Sequence, residues 1–154
     1  MILAIDPGAK GALAFFDPKE GTLEIFDMPT VQVKRGNKLK TEVSAQLVAS
    51  IVANFQPTKA VIEKVGAMPG QGVSSMWQFG RSVGIMEGVI AARNIPIEYV
   101  TPQRWMKEMR VRDGKDGSRL RAMELFPAYA DRFKRVKDDG RSDAALIAYY
   151  ASIT

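Results

Sequence analysis

Cysteine and histidine are both absent from this chain of 154 residues. Without cysteine there is no disulfide framework and no thiolate nucleophile, a composition compatible with a reducing cytosol. Without histidine there is no imidazole ligand and no ordinary general base at neutral pH. Any metal must therefore be held by oxygen, which suits magnesium or manganese better than zinc. Long apolar runs are missing too. The first one, "ILAI", meets Asp6 far short of a signal peptide, and no later run approaches the roughly 20 residues of a membrane span. The expectation is a cytoplasmic protein with no membrane partner.

What is present is an ordinary apolar content of 46%, in a length that suits one domain, 1–154, closed around its own core. Lys and Arg number 22 against 17 Asp and Glu, for a net charge of +5. That modest excess is concentrated. Lys34, Arg35, Lys38 and Lys40 share "VQVKRGNKLK" with no acid, and Lys115 and Arg119 belong to a second basic stretch from 104 to 121. A third group, Arg132 to Lys137, runs straight into "DDGRSDAALIA". Each run alone is ordinary solvated surface, but three of them beside clustered carboxylates favour a polyanion held by its phosphates.

The apolar pattern gives strands at 2–5, 11–17 and 22–28 joined by the turns "PGAK" and "PKEG". Pro29 to Lys40 reads as a polar connection, after which Thr41 caps a helix through Val43, Leu47, Val48 and Ile51 to about Phe55. "KAVIE" is a fourth strand, parallel to the first because a helical crossover leads to it. A long helix covers about 74–93, "IPIEYV" is a fifth strand, and Thr101 with Pro102 opens a short helix. Another helix lies near 117–125, and the last begins at Asp139 or Arg141. The fold class is thus α/β: a five-stranded mixed sheet, three strands antiparallel and then two parallel, flanked by helices.

In the long helix, Met76, Phe79, Val83, Met86 and Ile90 mark a face for the sheet. Gly80, Gly84 and Gly88 recur at fours on another side, each forfeiting about 1 kcal/mol against alanine. They imply a close backbone approach, either within the chain or across a dimer seam.

The acids carry the chemistry. Asp6 and Glu63 end parallel neighbouring strands, so their carboxylates leave one sheet edge about 5 Å apart at the backbone. Asp139 and Asp143 are one helical turn apart and share a face, whereas Asp138 lies well round the helix from Asp143. An acid at a helix start also has a simpler use as a cap, but Asp143 lies one turn inside, toward the apolar side, where a carboxylate needs a partner. Such oxygen-only sets can hold two divalent cations and align a water on a phosphodiester.

"AIDPG", "IEK", the glycine-spaced helix and "DDGRSDAALIA" resemble the RuvC branch of the ribonuclease H-like nucleases, the Holliday junction resolvases, in their compact bacteriophage-type form. The resemblance implies a magnesium-dependent endonuclease, with manganese as a substitute. It would be a homodimer that cuts opposed strands of branched DNA through Asp6, Glu63, Asp139 and Asp143, in a host cytoplasm if phage-encoded. It also implies basic residues gripping phosphate, here Lys115 and Arg119 with Lys34, Arg35, Lys38 and Lys40. The loop "VGAMPGQGVSS" lacks the aromatic wedge that bacterial members carry after the second acid. Substrate choice therefore stays open between four-way junctions, forks and flaps. A less selective or RNA-cutting nuclease of the same superfamily would use the same acids, and a noncatalytic DNA-binding module would have no use for them. An actin-like ATPase would need two such halves, more chain than is here.

Overall fold

The computed structural model describes all 154 residues. Strands β1 (Ile2–Asp6), β2 (Ala12–Asp17) and β3 (Thr22–Asp27) form an antiparallel meander, and β6 (Lys59–Glu63) and β7 (Ile97–Val100) add to it in parallel, in the order β3-β2-β1-β6-β7. The β1–β6 register sets Ile5 opposite Ile62. This is the five-stranded mixed sheet read from the sequence.

Both faces of the central strands are covered, which is why "ILAI" is apolar without alternation. Leu3, Ile5, Leu13, Phe15 and Ile62 pack under helices α1 (Ala45–Ala53) and α2 (Val73–Ala92), where Phe15 stacks on Phe55 with ring centroids 3.9 Å apart. On the other face lie α3 (Pro102–Glu108), α4 (Gly117–Leu125) and α5 (Asp139–Ile153). There the sheet offers Ala4, Ala12 and Ala14, and α5 answers with Ala144, Ala145, Ala148 and Ala151. Small residues on both sides let α5 settle deep against β1 and β2. Two 3₁₀ segments, Pro127–Phe133 and Val136–Asp138, lead into α5.

The expected connection at Pro29–Lys40 is instead a hairpin, β4 (Thr30–Arg35) with β5 (Lys38–Val43), forming a separate two-stranded sheet. Val43 consequently belongs to a strand. The cap of α1 is Ser44, whose side chain accepts from the Leu47 amide at 3.3 Å, rather than Thr41.

Helix α2 meets the sheet only through its second half, with Met86 and Ile90 buried, whereas Met76 is exposed. The expected sheet-facing stripe is correct for those two residues and fails at Met76. Close packing of the glycine column within the chain is also corrected: a Cβ at Gly80, Gly84 or Gly88 would meet nothing within 4 Å. No helix is long and apolar enough to cross a membrane.

Candidate active site

Because β1 and β6 run parallel in register, Asp6 and Glu63 leave the sheet side by side at its carboxyl end. The first turn of α5 is brought to them by Gly140. A Cβ there would stand 2.4 Å from the Lys10 carbonyl oxygen and 3.0 Å from the Gly11 Cα, so only glycine allows this approach to the β1–β2 turn. Asp139 and Asp143 flank that contact. Both line two adjoining grooves, one of about 700 Å³ shared with Asp6, Lys10, Glu42 and Gln78, and one of about 350 Å³ shared with Arg112, Lys115 and Ser118.

Burial dominates the electrostatics. It lifts the Asp6 carboxyl well above its usual range, with repulsion from Asp143 and then Glu63 adding to the rise. Burial also lifts Asp143 to about 7, opposed by the Ser118 hydroxyl and reinforced by Glu63 and Asp139. Glu63 is raised by burial too, against the Trp105 indole N–H, which donates to its Oε1 at 2.8 Å. The Asp143 Oδ1 atom is buried and has no hydrogen-bond partner. Leaving such an acceptor unpaired costs about 1–3 kcal/mol.

The neighbouring acids are treated differently. Asp139 accepts from Arg119 Nε at 2.8 Å. Arg119 was expected among the phosphate-gripping cations, but it is buried, and its other nitrogens are committed to the Lys134 carbonyl at 3.0 Å and to Asp116. Lys115, by contrast, is exposed at the smaller groove. Asp138 is 1% exposed and turned to Arg135, whose Nη2 donates to it at 3.0 Å, with Arg141 at 3.4 Å. Lys34, Arg35, Lys38 and Lys40 are all exposed on the β4–β5 hairpin.

As the side chains lie, no group of three or more acids is assembled to hold a metal ion. The reason is local: Asp139 is drawn to Arg119 and Glu63 to Trp105, while Asp6 and Asp143 repel each other. The donor set nevertheless fits a hard divalent cation. It consists only of oxygens, three of its carboxylates are raised by burial, and one buried oxygen has no other partner.

No protein-family model matches the sequence, and no curated protein matches it. Solved structures do match in three dimensions. Thermus thermophilus RuvC in complex with Holliday junction substrate aligns with a TM-score of 0.61 at 15% identity, over 99% of this chain and 95% of that one. A further Thermus thermophilus RuvC structure gives 0.60 at 14%, with the same coverage. The fold is ribonuclease H-like.

On this ribonuclease H-like frame, the sequence reading had missed Gly140 as a packing device, Trp105 as a partner of Glu63, and Glu42 as a groove-lining acid. Gly140 sits in plain view between Asp139 and Asp143, but the carbonyl that excludes a Cβ there belongs to Lys10, 130 residues away in the chain.

Proposed function

We propose that residues 1–154 act as a divalent-metal-dependent endonuclease on branched DNA, with the four-way junction as substrate. The observation that carries this reading is the placement of Asp6 and Glu63 at the carboxyl ends of neighbouring strands β1 and β6, with Asp143 lining one groove beside Asp6, all three raised by burial and without a fixed cation, next to Lys10, Arg112 and Lys115. The fold shared with a junction-bound RuvC supports the substrate class.

Asp6, Glu63, Asp139 and Asp143 would hold magnesium, two ions or one, with manganese as a substitute. Such ions, when bound, would supply Lewis acidity toward the phosphoryl group and make an attacking water easier to deprotonate at neutral pH. The chain itself orients the ligands. Gly140 seats Asp139 and Asp143 beside Asp6, while Trp105 holds Glu63 and Arg119 holds Asp139 in the ion-free arrangement from which a cation would draw them. Lys115 on one side and Lys34, Arg35, Lys38 and Lys40 on the other would carry backbone phosphates.

Resolving a junction takes two symmetric cuts, so two subunits would act together. The open column Gly80, Gly84 and Gly88, with exposed Val65 and Met76 beside Gly80 and Gly84 and exposed Trp77 one turn before Gly80, supports a seam on α2. Sedimentation of the protein with and without a four-way junction tests this. A monomer in both states leaves a nicking enzyme, whereas a Gly84→Val protein that stays folded, sediments as a monomer and only nicks places the seam on α2.

Cleavage of four-way, Y-shaped, flap and linear DNA, alongside RNA and hybrid duplexes, with magnesium or EDTA, tests the whole reading. Paired nicks in the four-way junction are expected. Equal cutting of linear DNA or RNA would point to the less selective nuclease, and binding without any cutting to a noncatalytic module.

A further inference from the structure

Glu42 has no part in the four-acid set, yet it lines the larger groove together with Asp6, Asp139 and Asp143 and is only 5% exposed. It sits near the end of β5 and joins three elements. Arg35 on the paired strand β4 donates to Glu42 Oε1 through Nε at 3.1 Å and Nη2 at 2.8 Å. From α2, Gln78 Nε2 donates to the same oxygen at 3.3 Å, and the Arg81 Nη1 stands 3.9 Å from Oε2. Arg35 first, then Arg81 and Gln78, hold the Glu42 carboxyl below its ordinary range, so it is an anion at neutral pH.

One buried carboxylate thus faces two guanidiniums, and neither is used up by it. The side chains of Arg35 and Arg81 are 57% and 41% exposed; Arg35 has no side-chain acceptor besides Glu42, and Arg81 is held only by the longer ion pair. A lock meant only to hold the hairpin to α2 would need one arginine. Here the local charge remains positive, and it sits behind Glu42 and Gln78, which line the groove together with the acids, so the two exposed guanidiniums flank that groove rather than line it. A two-stranded hairpin is marginal in isolation. The β4–β5 unit pairs with no other strand, and its polar ties to α2 are Glu42 and the Lys40 Nζ, which donates to Ser74 Oγ at 3.2 Å.

We infer that Glu42 is a positioning residue that fixes Arg35 and Arg81 as a paired guanidinium clamp on the sugar–phosphate backbone of the strand entering the larger groove. The inference rests on the nuclease reading and adds to it. Arg81 becomes a phosphate contact, Arg35 acts as half of a pair, and the hairpin becomes a wall held in register with the acids. Fork geometry suits this task, since a planar guanidinium meets two phosphate oxygens at once and keeps its hydrogen-bonding edge while a second edge stays on Glu42.

The test uses the full chain, a fluorescent four-way junction, binding by anisotropy in calcium across a salt series, and single-turnover cleavage in magnesium. Arg35→Gln and Arg81→Gln replace exposed side chains and leave the core intact, so they carry the test. Each is expected to flatten the slope of log affinity against log salt by about 0.7–0.9. Glu42→Gln removes a negative charge, so charge alone would tighten binding and leave cutting unharmed. Positioning instead predicts cutting slower by about ten- to a hundredfold with binding retained, and partial rescue in Glu42→Asp. Salt slopes unchanged in both arginine variants would overturn the clamp while leaving the nuclease reading intact. If the unaltered protein neither binds nor cuts the junction, the nuclease reading fails first and takes the clamp with it.

Discussion

Two groups of acids in this protein receive opposite treatment from their surroundings. Asp27, Asp138 and Glu42 are each met by arginine: Asp27 by a two-pronged contact from Arg141 at 2.7 and 2.8 Å, Asp138 by Arg135 and Arg141, and Glu42 by Arg35 and Arg81. Their carboxyls lie below the ordinary range, Asp27 through Arg141 and Asp138 because the Arg135 bonds outweigh the opposing effect of burial. Asp6, Glu63 and Asp143 have no such partner and are driven upward by burial. A chain with 22 basic residues has the means to neutralise every acid, and at the carboxyl end of β1 and β6 it does not do so. The first group has its charge met by arginine, whereas the second bears the cost of burial with no cation of its own, a cost that the proposed metal would offset. Asp139 stands between the groups, within the candidate site but already held by Arg119.

The sharpest way to break this contrast is to neutralise one member of the unpaired group. Asp143→Asn is expected to lower magnesium-dependent cleavage by about two orders of magnitude or more, and Asp6→Asn and Glu63→Gln to do the same. Stability should move the other way. An acid that titrates higher in the folded state than in the unfolded one erodes stability as pH rises between the two values, here from about 4 to about 7 for Asp143. Chemical denaturation without metal should therefore show the protein weakening over that interval and the Asp143→Asn protein weakening less. At neutral pH the variant should gain up to about 4 kcal/mol. Magnesium should raise the melting temperature of the parent and not of the variant. An Asp143→Asn protein that cuts normally removes Asp143 from the site.

Next in size is Gly140→Ala. The added methyl has backbone on the far side, so the first turn of α5 must retreat, and a misplacement of that kind can cost about a hundredfold in rate. Overpacking should also cost about 1–3 kcal/mol. Unchanged cleavage by a folded Gly140→Ala protein would show that the close approach is not needed.

Asp138→Asn probes the other group and should do the reverse of Asp143→Asn. Losing a buried, arginine-bound carboxylate should destabilise by about 1–3 kcal/mol, while cleavage below the melting transition changes only a few-fold. Thermal melting and a rate measurement on the same sample decide it. A large loss of rate without a loss of stability would move Asp138 into the site.

The smallest effect belongs to the exposed cations. Lys115→Gln should flatten the salt dependence of junction binding by about 0.7–0.9 and leave the melting temperature in place. An identical slope would return Lys115 to ordinary surface.

The positions of the four candidate acids were legible in the sequence where one local rule decides position, but not the arginine partners of Asp27, Asp138 and Glu42. Asp6 and Glu63 could be placed because each ends an apolar run that can only be a buried strand, and Asp139 and Asp143 because a helical turn sets their spacing. The β4–β5 hairpin could not be read from apolar periodicity. Eight of its twelve strand residues are exposed, so the brief alternation at Val31 and Val33 points to no buried face and is too short to mark a strand. The available signal was Gly36 and Asn37 between two paired runs, with Gly36 at a φ of 62° as a tight turn demands. Missing that turn also misplaced the α1 cap and hid Glu42. The glycines of α2 showed the opposite problem. Their spacing implied a close neighbour, but the three-dimensional structure has none within the chain, and sequence spacing alone cannot distinguish a partner in the same chain from one in another.

The bond from the Trp105 indole to Glu63 gives the protein an optical handle on its own chemistry. Of its two tryptophans, Trp77 is 69% exposed and Trp105 is fully enclosed. A dissolved quencher such as iodide will silence the first and spare the second. The remaining blue-shifted emission then comes from a ring whose N–H touches a candidate ligand, so any ion that draws Glu63 away will change its colour or intensity, without label, substrate or turnover.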